Sequence, residues 1–104
     1  MSVIFIYVAV SSDEAKKIAE AVVADRLAAC ANILPGMESV YHWQGKIQSA
    51  QETVVIFKTR AELFPALEAR VKELHSYDTP CIVALPVTAG HTPFLDWILE
   101  ETKP

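Results

Sequence analysis

The side chains able to bind or transform something are few. His75 stands six residues ahead of Cys81 across the turn-forming run Tyr77-Asp78-Thr79-Pro80, and an imidazole with a thiolate suits Cu(I) or Zn(II). A second thiol, Cys30, lies among small residues in Leu27-Ala28-Ala29-Cys30-Ala31, where cysteine ordinarily packs as a small apolar group. Two cysteines without CxxC spacing are too few for a disulfide scaffold, so reduced thiols are expected. A structural zinc site takes four ligands, and one chain could reach that number only by sharing a site with copies of itself. The three histidines also have bland roles open to them. His42 falls in an extended segment as a solvated or interface group, and His91 follows Gly90 in a loop. His75 closes a helix, where an imidazolium favours the negative end of the dipole.

Catalytic patterns are missing. There is no GxSxG, GxxxxGK[ST] or GxGxxG, and three glycines are too few for a phosphate cradle. Cys81 with His75 or His91 is the one nucleophilic pairing left, and the chain is read as a non-enzyme.

The elements that must position these residues follow from patterning. Val3 to Val10 is apolar, β-branched and aromatic without alternation, the mark of a strand buried on both faces. Ser11 with Glu14 three residues on has capping-box spacing and predicts a helix ending near Ala28 or Ala29. Cys30 to Trp43 reads as extended with a bend or bulge at Pro35-Gly36. Trp43-Gln44-Gly45-Lys46 reads as a hairpin tip, and the return strand runs through Glu52 to Thr59. Glu62, Leu63 and Pro65 open a helix carrying Phe64, Leu67, Val71 and Leu74 on one stripe. Cys81 to Val87 is a further strand, and Thr92-Pro93 caps a last helix with Phe94, Leu95, Trp97, Ile98 and Leu99.

The order β-α-β-β-α-β-α predicts an α+β, ferredoxin-like split βαβ sandwich in one domain spanning residues 1–104. Two helices cover one sheet face. The last helix can cover part of the other, and the remainder, with the long hairpin, calls for neighbouring copies. Hydrophobic residues make up 52% of the chain, and 9 Lys+Arg against 13 Asp+Glu give a net charge of −4. An acidic chain argues against nucleic acid, whose binders need a dense basic face. The longest apolar run, Val3 to Val10, is far short of the roughly 20 residues of a membrane-spanning helix, so no membrane association is expected. The first basic residue, Lys16, comes after that run, unlike a secretory signal, and a cytoplasmic location is expected.

The motifs together resemble one family. Leu27-Ala28-Ala29-Cys30-Ala31-Asn32-Ile33 into Pro35-Gly36, then Ser39-Val40-Tyr41 with Trp43, Gly45 and Lys46, Glu52, Lys58-Thr59, His75 with Tyr77 and Pro80, and Gly90 with Trp97 are similar to the CutA divalent-cation tolerance family from Val3 to Ile98. The resemblance implies a cytoplasmic homotrimer of PII-like architecture with interlocking hairpins. It also implies a link to copper or another divalent cation, none of them obligatory, and an unidentified protein partner. The family's loop reads His-Pro-Tyr-x-x-Pro-Glu where this chain has His75-Ser76-Tyr77-Asp78-Thr79-Pro80-Cys81. A thiol thus stands in for a carboxylate. Some members carry a Cys near the end of the first strand and a second His before the loop, where this chain has Ala9 and Leu74. His75, Cys81 and Cys30 are therefore the candidate metal ligands, at clefts between subunits. A PII-like sensor taking a small molecule in the same clefts is the alternative, with Tyr41, Trp43, Lys46 and Tyr77 as lining candidates.

Overall fold

In the computed structural model, which describes residues 2–103, the chain runs β1 (Val3–Val10), α1 (Ser12–Ala24), β2 (Cys30–Trp43), β3 (Lys46–Arg60), a 3-10 turn (Ala61–Leu63), α2 (Phe64–Leu74), β4 (Cys81–Pro86) and α3 (Thr92–Glu101). The sheet order is β2-β3-β1-β4 and every neighbouring pair is antiparallel. This is the expected α+β split βαβ arrangement. β1 is apolar throughout because it is central. Ile4, Ile6, Val8 and Val10 join Val55, Phe57 and the stripes of α1 and α2 in one buried cluster, while Phe5, Tyr7 and Ala9 take the opposite face.

That opposite face is only partly covered. α3 lies over one end of it, where Lys58 Nζ sits 5.3 Å from the ring centroids of both Phe5 and Phe94. The buried Arg60 side chain ties the end of α3 down, donating from Nε to Thr102 Oγ1 at 3.0 Å and from its terminal nitrogen to the Leu99 carbonyl. Val83 and Leu85 on β4 stay half exposed. β1 reaches only as far as Thr53 of β3, so the arms of the hairpin from Met37 to Glu52 pair with each other alone. The molecule is accordingly long, 45 × 26 × 22 Å.

Three helix ends differ from the sequence reading. α1 stops at Ala24 rather than near Ala28 or Ala29. Arg26 adopts φ 59, and the bonds Arg26 N–H to Val23 O (3.0 Å) and Leu27 N–H to Val22 O (3.1 Å) close a Schellman motif. No glycine marks that end, so the left-handed arginine was invisible in the pattern. The capping box of Ser11 and Glu14 is not formed. Ser11 makes no side-chain cap bond and instead donates its hydroxyl to Glu14 Oε1 at 3.0 Å. At α3, His91 is the N-cap and Thr92 already the first helical residue.

Candidate functional site

The site begins with the bulge. Between Leu34 and Met37 the register of β2 against β3 slips, with Gly36 at φ 80 supplying the left-handed residue that such a bulge needs. One extra residue reverses the alternation of everything beyond it. Cys30, Asn32 and Leu34 share the face of Lys58, Ile56 and Val54, and after the bulge Met37, Tyr41 and Trp43 join it, opposite Glu52, Gln48 and Lys46. Without Pro35-Gly36, Tyr41 and Trp43 would face the other way. The tip is tight, with Gln44 at φ 51 and Gly45 at φ 76, the two positive angles of a type I′ turn.

The other wall is the segment after α2. His75 is the C-cap of that helix, with its backbone N–H on the Val71 carbonyl, and its ring is buried. Nδ1 accepts the Tyr77 backbone N–H at 3.2 Å, which leaves Nε2 to donate to the Ala9 carbonyl at 2.8 Å. Both ring nitrogens are thus engaged, and the Tyr77 ring packs against the imidazole at 4.5 Å between centroids. Tyr77 is thereby aimed across the sheet, where its hydroxyl donates to Glu52 Oε2 at 2.9 Å. Burial, the bond to Glu52 and the charge of that carboxylate push the Tyr77 phenol up to about 12, so it stays a neutral donor at physiological pH. Ser76 anchors the segment on a second side through its hydroxyl, 2.9 Å from Glu14 Oε1.

Glu14 carries a pH consequence. Burial works to raise its value, but hydrogen bonds from Ser76 and Ser11 outweigh that and hold the carboxyl below its ordinary 4.5. The folded state therefore favours the ionised form. The stabilisation is complete above the ordinary value and is lost as pH falls through the lowered one. Glu14→Gln is expected to flatten the acid limb of the thermal midpoint between about pH 5 and pH 3. Parallel melting curves for both proteins over that range would contradict the assignment.

Between the hairpin and the 76–79 segment lies an open groove of about 750 Å³, lined by Ala9, Tyr41, Trp43, Gln48, Ala50, Glu52, Ser76, Tyr77, Asp78, Thr79 and Cys81. The structure so brings together Tyr41, Trp43, Tyr77 and Cys81 from the sequence candidates. Cys81 is exposed and pairs with Ala9 at the start of β4. Cys30 lies elsewhere. Its row is Lys58, Phe5 and Leu85, four residues along β4 from Cys81 and three strands over, about 13 Å by about 14 Å within one chain. Burial also pushes the Cys30 thiol up, against the pull of Lys58, which keeps it protonated and poorly reactive. Lys46 pairs with Trp43 at the hairpin tip and is not among the lining residues of the groove. Glu52 and Asp78 also line the groove, beyond the residues that the sequence pattern marks. Glu52 could have been found from its place two residues before the buried Val54, on the face of Ala50 and Gln48; Asp78 carried no signal beyond its turn. Among the described residues, no three His, Cys, Asp or Glu side chains are grouped so as to hold a metal ion.

Fold and groove together define a class: a small α+β sandwich of split βαβ order whose long hairpin carries aromatic residues to an acidic, thiol-edged groove. The family model for the CutA1 divalent ion tolerance protein matches residues 3–101, and the chain belongs to that family. It is 49% identical over 92 residues to the divalent-cation tolerance protein CutA of Thermus thermophilus, covering 88% of this chain and 89% of that one. It is 46% identical over 101 residues to the chloroplastic protein CutA of Arabidopsis thaliana, covering 96% of this chain but spanning only 56% of that relative. The crystal structure of CutA1 from Oryza sativa superposes with a TM-score of 0.95 at 41% identity, over 99% of this chain and 95% of that one.

Proposed function

We propose that the protein acts in divalent-cation tolerance as a cytoplasmic, non-catalytic homotrimer that holds copper or a similar ion where the groove of one copy meets the next. The observation that carries this reading is Cys81. An exposed thiol at the edge of a groove that also presents Glu52 and Asp78 is a soft donor beside hard ones, and thiolate favours Cu(I) or Zn(II) over Mg(II). Among the described residues no three such donors converge, so a neighbouring copy completes the set. His75 serves that site as a support and not as a ligand, because both its nitrogens are already bonded. A family named for cation tolerance supports the role. No helix among the described residues is long and apolar enough to cross a membrane.

Cu(I) titration under anaerobic conditions against a competing chelator tests the reading. Cys81→Ser is expected to weaken binding at least about tenfold, since a hydroxyl is a poor soft-metal ligand. Equal affinities for variant and wild type would sink it. The alternative, a PII-like sensor of a small molecule that signals through a partner protein, is favoured by the size of the groove, which falls in the range of roughly 300–1,000 Å³ typical of such sites. Thermal shifts with metabolites and none with metals would select that alternative.

A further inference from the structure

The inner wall of the groove has a chemistry distinct from its thiol edge. Three aromatic rings line it, Tyr41, Trp43 and Tyr77, together with the carboxylates of Glu52 and Asp78. No lysine or arginine is among the lining residues; on that sheet face Lys46 pairs with Trp43 at the hairpin tip, outside the lining, and Lys58 is held between Phe5 and Phe94. The rings are 42%, 60% and 39% exposed respectively, a concentration of aromatic surface that marks a binding patch.

Elimination by chemistry narrows the occupant. An anion would meet two carboxylates among the lining residues, with Lys46 only at the outer end of the hairpin. A neutral apolar molecule would strip water from those carboxylates without replacing it. A bare metal ion needs convergent lone pairs, which belong to the thiol edge of the groove and not to the ring faces of its inner wall. A cation with diffuse charge is attracted by aromatic faces and needs no inner-sphere ligands. Glu52 is prepared to complete that attraction, because the Tyr77 hydroxyl fixes Oε2 at 2.9 Å and so holds the carboxylate in place before any ligand arrives. The His75 contacts fix Tyr77 in turn.

We propose that this groove binds a small organic ammonium ion, its cationic head seated against the rings of Tyr41, Trp43 and Tyr77 and paired with the carboxylate of Glu52. The ligand class goes beyond the metal reading and does not depend on Cys81.

Isothermal titration of the native oligomer with choline, and with 3,3-dimethylbutan-1-ol as its uncharged isostere, separates charge recognition from simple apolar burial. Choline is expected to bind at least about tenfold more tightly than the isostere, as a desolvated cation–π contact and a carboxylate pairing predict. Glu52→Gln keeps an acceptor for Tyr77 and removes the charge; it is expected to lower choline affinity about tenfold while the thermal midpoint stays within a few degrees of wild type. Titrating choline in metal-free buffer keeps this result separate from the outcome of the copper titration. Equal affinity for choline and the isostere, or no binding heat from either, overturns the proposal without any variant having to fold.

Discussion

His75→Ala is expected to lower the stability of the fold by roughly 2–4 kcal/mol, the combined cost of unmet buried hydrogen bonds and of the space left behind. The imidazole is 8% exposed and bridges three places: the last turn of α2, whose cap it is, the end of β1 through the Ala9 carbonyl, and the following segment through the Tyr77 N–H. Alanine leaves that carbonyl and that N–H without their partner and removes the ring against which Tyr77 packs. The Tyr77–Glu52 bond should weaken with it, so the groove loosens as the fold does. Urea denaturation at fixed protein concentration measures the first effect, and Trp43 emission, read in a Trp97→Phe background because the chain has two tryptophans, reports the second. The contrast with Cys81→Ser is what gives the experiment its force. If His75 were chiefly a metal ligand, its replacement would abolish Cu(I) binding and leave the apo protein nearly as stable as wild type. The bonds to Ala9 and Tyr77 require the reverse order of effects.

The same residue explains how much could be read before the structure. The order of elements was legible because each period was clean: β1 apolar without alternation, α2 with its stripe of Phe64, Leu67, Val71 and Leu74, and the tip marked by Gly45. Pro35-Gly36 announced a bulge. What a linear pattern could not carry was partnership across distance. Ser11 and Glu14 satisfied a local capping rule, yet the Glu14 carboxylate accepts from the hydroxyls of both Ser11 and Ser76, the latter 62 residues on, where the rule has it reach back to the cap N–H. His75 and Cys81 were near in sequence and of suitable types, but a hydrogen bond to the Ala9 carbonyl and one from the Tyr77 N–H occupy the buried imidazole while the thiol stays exposed at the groove. Cys30 had a suitable type but lies on another row of the sheet than Cys81 within one chain. Glu52 and Tyr77 became a pair only once the sheet was folded, since nothing in their 25-residue separation announces a contact.

Val83→Glu with Leu85→Glu is expected to separate the proposed homotrimer into single chains, and the magnitude of that effect discriminates between a monomer and an assembly. In an isolated chain these side chains are 50% and 51% exposed, and two surface substitutions of this kind would change stability by no more than about 0.5 kcal/mol each. In a homotrimer whose sheets face one another they are buried, and each unpaired carboxylate then costs roughly 3–5 kcal/mol. Several features of the single chain favour the second case. Its accessible surface is 6487 Å², against about 5,800 Å² for a compact monomer of 11.5 kDa. Its radius of gyration is 14.3 Å, where about 13 Å is usual for this length. The excess comes from the protruding hairpin and from the sheet face that α3 leaves open, and β2 and β4 both present free strand edges. Sedimentation velocity at micromolar concentration is the measurement. Wild type should sediment as one species of three chains, the double variant as a smaller and less stable one, and Lys16→Glu, on a lysine 84% exposed on α1, as wild type. A wild-type monomer, or a double variant that still sediments as the wild-type assembly, would remove the neighbouring copy on which the proposed metal site depends. The ammonium site, built within one chain, would survive that result.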